Sequence, residues 1–253
     1  MSSIAIASVV FVFAFGSALL GSWVRERLPE HHRDENSLRA VSLGEGMVAT
    51  LAALVLGLLT ASGKSSLDKL NDDFTRIAAS VVLLDRALAN FGPEAGEVRV
   101  QLRDEYANAI ELIFKEGDRA LAKLDQPGKL ASAEALQGRI RALAPQNEGQ
   151  RWLQSRALEL SNELSQVRML AIAHGTSAIP PLFLVILVFW LSIIFAGYGL
   201  LTANNGTVAA TLLVCALCVS GSIFLVEEMA RPFDGMLRIS SAAQHAALAR
   251  LGK

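Results

Sequence analysis

The sequence predicts an all-α, polytopic membrane protein with four transmembrane helices and an extramembrane helical bundle. Three observations predict it. Hydrophobic residues make up 52% of the chain and charged residues only 19%, against about 25% charged in soluble domains. The apolar residues gather in four blocks, each near the roughly 20 residues that cross a bilayer as a helix. The polar remainder carries apolar residues at a three-and-four spacing with almost no strand signal, so helices are expected there too.

Residues 1–62 hold the first two spans, about 4–24 and 43–62, and their connecting loop. The first block is uncharged, and only Met1, Ser2 and Ser3 precede it. A cleaved signal peptide would show basic residues before a shorter core, so an uncleaved anchor is expected. Residues 63–179 form the bundle outside the membrane. There Leu67, Leu70, Phe74, Ile77, Val81, Leu84, Leu88 and Phe91 make a heptad stripe that begins just after the second span. That helix should therefore run on out of the bilayer, and the stripe should pack subunits together.

Gly92-Pro93 stops the helix, and residues 94–124 read as a second one with Val98, Leu102, Tyr106, Ala109 and Ile113 on one face. Gln126-Pro127-Gly128 is a break. A short helix over 131–143 follows, then a stripe of Leu153, Ala157, Leu160, Leu164, Val167 and Ala171 that leads back to the membrane. Residues 180–230 form a transmembrane hairpin, with spans about 181–203 and 207–228 and the turn signal Asn204-Asn205-Gly206 between them. Residues 231–253 are an amphipathic tail whose apolar face should comprise Met236, Ile239, Ala243, Ala246 and Leu248.

Composition and motifs exclude several functions. A net charge of −1 gives no footprint for nucleic acid. No Walker-type or dinucleotide glycine loop and no Gly-x-Ser-x-Gly elbow occurs, so neither an enzyme nor a cofactor is expected. His31-His32 is the one histidine cluster. Adjacent histidines diverge in regular structure, so the pair reads as an interfacial loop sooner than as a zinc site. Cys215 and Cys218, three apart on the fourth span, read as small hydrophobes.

The second span carries the one patterned membrane surface. Gly46, Thr50, Ala53, Gly57 and Ala61 share a helical face, with Met47, Leu51, Leu54 and Leu58 on others. Small residues let helix backbones approach closely in lipid, whereas a small, weakly polar stripe repeated around an oligomer can also wall a pore. Glu45 opens this span, Glu227 and Glu228 close the fourth, and Arg231 follows. Charges at such depths are candidates for function, all here near interfaces.

Basic residues leave the orientation open. The side holding the N-terminus, bundle and tail offers Lys64, Lys69, Arg76, Arg168, Arg231 and Arg238, and the hairpin loops offer Arg25, Arg27, Arg33 and Arg39. The totals favour a cytoplasmic bundle, while the flank of the first span alone argues the reverse.

Leu28-Pro29-Glu30-His31-His32-Arg33, Gly46-Met47-Val48-Ala49-Thr50-Leu51, Val82-Leu83-Leu84-Asp85-Arg86 with Phe91-Gly92-Pro93-Glu94, Val188-Phe189-Trp190-Leu191, and Arg231-Pro232-Phe233-Asp234-Gly235 with Ile239-Ser240-Ser241 occur in that order. Together they resemble the bacterial bestrophin-like family, distant relatives of the bestrophin anion channels. The resemblance implies a homo-oligomer, a pentamer in bestrophins proper, with four spans per subunit and both termini in the cytosol. It implies a second span that lines an ion pathway and continues into a cytosolic bundle, in a bacterial inner membrane. Thr50, Ala53, Gly57 and Thr60 are then the pore-lining candidates, small anions the permeants, and the lipid bilayer the surroundings. The bulky apolar neck and the acidic calcium clasp of animal bestrophins have no residue-by-residue counterpart here. A different class of function fits the same architecture: a membrane-anchored sensor or scaffold whose bundle binds a ligand or partner protein.

Overall fold

The computed structural model describes residues 2–29, 35–117, 120, 127–175, 181–202 and 205–253. The architecture is all-α, as expected, with no strand among the described residues. The helices are α1 (Ser3–Arg27), α2 (Glu35–Phe91), α3 (Gly96–Glu116), α4 (Pro127–Ala142), α5 (Glu148–Gly175), α6 (Pro181–Leu201), α7 (Gly206–Met229) and α8 (Ala242–Leu248), with a 3-10 turn at Pro93–Ala95. Four of them, α1, α2, α6 and α7, are long and apolar enough to cross a membrane. The chain divides into two compact units, Met1–Lys64 with Ile179–Ala230 and Ser65–Ala178 with Arg231–Lys253, and α2 is continuous through both.

The first unit is held by small residues. Gly21 of α1 lies so close to α6 that a Cβ there would fall 1.9 Å from the Ala196 carbonyl oxygen, and a Cβ on Gly199 would fall 2.0 Å from the Ala18 carbonyl oxygen. In lipid, where apolar burial drives no association, this close approach supplies the dispersion that joins helices. Ala14, Ala18, Phe195 and Ala216 continue the contact, and Val10, Ala52, Leu187, Leu191, Ile194 and Ile223 form a second core to which α2 adds Val48, Ala49, Leu56 and Leu59. Helix ends are satisfied by side chains: Asn205 caps α7 by accepting from the Val208 amide at 2.9 Å, and Arg25 of α1 donates to the Leu200 carbonyl at the end of α6 at 3.5 Å.

The second unit is a helical bundle with a conventional apolar core. Leu70, Phe74, Val81, Leu84, Leu88 and Phe91 of α2 are all buried in it, against Val98, Leu102, Tyr106, Ile110 and Ile113 of α3 and Ala157 and Leu160 of α5. This corrects the expected role of the heptad stripe. It builds the interior of its own chain and is not free to pack subunits together, because six of its eight residues are buried against α3, α5 and the C-terminal segment, and Leu67 and Ile77 are half-buried beside them.

Polar groups lock the bundle at its helix ends. Gln150 donates to the Phe91 carbonyl at 2.7 Å, where Gly92 turns the chain at φ 133°. Gln154 donates to the carbonyls of Ile140 and Leu143 at 2.9 and 2.8 Å, closing α4. Asp85, almost fully buried, accepts two bonds from Arg99 at 2.8 and 3.0 Å and one from the Gly252 amide at 3.3 Å. Arg99 also donates to the Lys253 carbonyl at 3.2 Å, so the last residues are clasped to α2 and α3.

Two further expectations are corrected. The helix read over 94–124 stops at Glu116, because Gly117 takes φ 62° and its hydrogen atoms face Asp234, whose Oδ1 lies 1.6 Å from where a Cβ would be. Of the apolar face expected for the tail, Ile239 is buried and Leu248 half-buried against the core, but the other three residues face outward. Met236 is 77% exposed and Ala243 and Ala246 are exposed, while Phe233, Ile239, Gln244, Ala247 and Leu251 are buried. Phe233 packs edge-on to Phe74 at 5.4 Å, so a bend at 231–235 and not a helix face decides what is inside.

Candidate permeation surface on the second helix

Within the first unit, α2 has two unlike sides. Glu45, Val48, Ala49, Ala52, Leu56, Leu59 and Gly63 are buried or half-buried against neighbouring helices. Gly46, Thr50, Ala53, Gly57, Thr60 and Ala61 are exposed, as are Met47, Leu51, Leu54 and Leu58. At 100° per residue the small residues occupy one stripe and the bulky ones the next, and the packed residues the remaining arc. Nothing lies within 4 Å of a Cβ built on Gly46 or Gly57. Among the described residues, the two glycines of the small stripe therefore meet no other helix, so helix packing, the first of its two readings, does not hold at them. The packing that uses small residues is between α1 and α6 instead.

The hydroxyls on this surface are internally satisfied. Thr50 Oγ1 donates to the Gly46 carbonyl and Thr60 Oγ1 to the Leu56 carbonyl, both at 2.8 Å. With the proton turned back along the helix, each oxygen offers lone pairs outward.

Glu45 lies on the other side of the helix and is nearly buried at 6% exposure. Its carboxylate sits in a notch over Gly197 of α6, with Oε1 1.1 Å from where a Cβ would stand. Among the described residues that oxygen has no hydrogen-bond partner. The place of Glu45 at the start of the span leaves interfacial water within reach by sequence, and the structure buries it between helices. The reason is Gly197, whose missing side chain makes the room. No local pattern points to this pairing, since the two residues lie far apart along the chain.

At the end of α7, Glu228 is buried and Glu227 half-buried, and Arg231 is half-buried beyond it. Cys215 and Cys218 are free and exposed. His31 and His32 lie outside the described residues, and among the described ones no group of three metal-ligating side chains converges.

A membrane-embedded helical unit, a separate helical bundle and one long helix threading both define a multi-span α-helical membrane protein. The family model of the bestrophin-like domain matches residues 12–244, and the chain belongs to that family. Among solved structures, a variant of a bacterial bestrophin homologue from Klebsiella pneumoniae is similar at TM-score 0.71 and 12% identity, over 99% of this chain and 97% of that one. A second variant of the Klebsiella pneumoniae homologue is similar at TM-score 0.66 and 14% identity, over 95% and 97% of the two chains. No curated protein matches the sequence.

Proposed function

We propose that the chain is one subunit of an oligomeric ion channel, with the second helix facing the symmetry axis and small anions as permeants. The observation that carries this reading is the open face of α2. Thr50, Ala53, Gly57 and Thr60 are exposed, although the opposite side of the same helix is packed. A surface of alternating small and apolar residues suits a pathway in which weak, repeated contacts offset partial dehydration. Membership of the bestrophin-like family supports the same reading, as does the likeness to a bestrophin homologue over nearly the full length of both chains. On it the assembly is a ring, a pentamer as in bestrophins proper, set in a bacterial inner membrane with the bundle in the cytosol.

One observation favours cations instead. The Thr50 and Thr60 protons are committed to backbone carbonyls, so these residues offer a passing ion oxygen lone pairs and no donor. Flux into liposomes containing the purified protein, measured for halide and for alkali cation, separates the two. Gly57→Trp should reduce the flux at least tenfold while the oligomer keeps its size, because the indole would enter open space. Undiminished flux through an intact Gly57→Trp oligomer would remove α2 from the pathway. The rival reading, a sensor or scaffold, predicts no flux of either ion.

A further inference from the structure

The helical bundle contains a cavity of about 130 Å³ lined by α2, α3, α4, α5 and α8. Its walls are chiefly apolar, with Phe74, Leu102, Ile110, Leu136, Leu164 and Ile172 among them. An apolar cavity of about 150 Å³ stays dry and takes up benzene, so this one matches a single aromatic ring in size.

Two polar atoms set it apart from a packing defect. Tyr106 Oη and Gln244 Oε1 belong to residues that line the cavity, are buried, and have no hydrogen-bond partner among the described residues. The residues are 8% and 2% exposed, respectively. Gln244 Nε2 donates to the Phe74 carbonyl at 2.9 Å, which fixes the carboxamide and leaves Oε1 as an acceptor in want of a donor. Burial raises the Tyr106 phenol above its ordinary range, so it stays a neutral donor in want of an acceptor. A buried polar atom without a partner opposes folding, and in native proteins it usually marks a bound water, ion or ligand. Water alone would answer the two atoms but leave the apolar walls wetted.

The charged residues at the wall are otherwise engaged. Glu105 accepts from Gln101 at 2.7 Å, and Arg168 is not without a partner. Neither leaves a bare charge that calls for an ionic ligand.

We propose that this cavity binds a small, uncharged, single-ring molecule bearing one hydroxyl, a phenol in class. A hydroxyl can supply a donor for Gln244 or an acceptor for Tyr106, while the ring fills the apolar walls. The site is separate from the α2 surface and does not depend on the channel reading.

The probe is 4-fluorophenol, followed by fluorine NMR with the full chain in lipid nanodiscs. Lipid takes up the probe without saturating, so the signal of interest is the saturable component. Wild type should show one. Ser161→Leu, which places a larger side chain at a buried wall position, should abolish it, and Tyr106→Phe, which keeps the ring, should weaken it about five- to tenfold. Fluorobenzene should bind at least about fivefold more weakly than 4-fluorophenol to wild type. No saturable component in wild type overturns the site. If Ser161→Leu fails to fold, Tyr106→Phe and fluorobenzene decide the matter: affinity unchanged by both overturns recognition of the hydroxyl.

Discussion

At Gly197 the carboxylate of Glu45 occupies the place a side chain would take. Gly197→Ala must therefore push Glu45 out of its notch, and a cost of about 1–2 kcal/mol is expected. Glu45→Ala empties the notch, so the double variant should recover most of that loss. Thermal unfolding of the four proteins in one detergent checks it, and strictly additive shifts would mean that the two residues do not touch. Asp85 is the corresponding residue in the bundle. Asp85→Ala leaves the Arg99 guanidinium without its two-pronged acceptor and frees the Gly252 amide. Because Arg99 is itself partly exposed, the loss should fall at about 2–3 kcal/mol, below that of a fully buried pair, as chemical denaturation would record.

At the scale of elements, α2 does two jobs with one period. Its apolar spacing was legible as helical from the sequence alone, yet the stripe from Leu67 to Phe91 does not say which partner it meets. A heptad fits another subunit as well as it fits α3 and α5, and only the fold shows Leu84 at 0% exposure inside its own bundle. Charge there should consequently do more than separate subunits. Leu84→Asp is expected to cost more than about 3 kcal/mol and unfold the bundle. Limited proteolysis would then cut within residues 65–175, and a protease-resistant monomer would restore the intersubunit role. The end of α3 shows the converse case. A glycine at 117 amid good helix formers is a mild signal in sequence, and its φ of 62° together with Asp234 makes it the stop.

For the whole molecule, the open face of α2 makes a symmetry prediction. If that face surrounds an axis, residues on it approach their own copies, and residues on the packed side do not. With the native thiols removed by Cys215→Ala and Cys218→Ala, Thr50→Cys should form a disulfide-linked dimer, the limit for one thiol per subunit. Val48→Cys, half-buried against the chain's own helices, should stay monomeric on the same denaturing gel. Equal cross-linking of both would place the axis elsewhere. The candidates Thr50, Ala53, Gly57 and Thr60 were legible as a stripe because small residues at helical spacing stand out among Leu and Val. Their openness was not legible, since spacing describes one helix and packing requires two.

The sequence by itself determined the class of this protein. Uninterrupted apolar runs of bilayer length have no other way to satisfy their backbone than as helices, and polar stretches with three-and-four spacing and Gly-Pro stops have few. These are local constraints, and each is written in contiguous residues. Tertiary structure alone decided which faces are spent. It placed Glu45 over Gly197, joined α1 to α6 through Gly21 and Gly199, turned the heptad stripe inward, and brought Tyr106 and Gln244 to the wall of one cavity. Each of these pairs residues distant in the chain, and contact between them depends on side-chain volume and helix approach, which no single segment encodes.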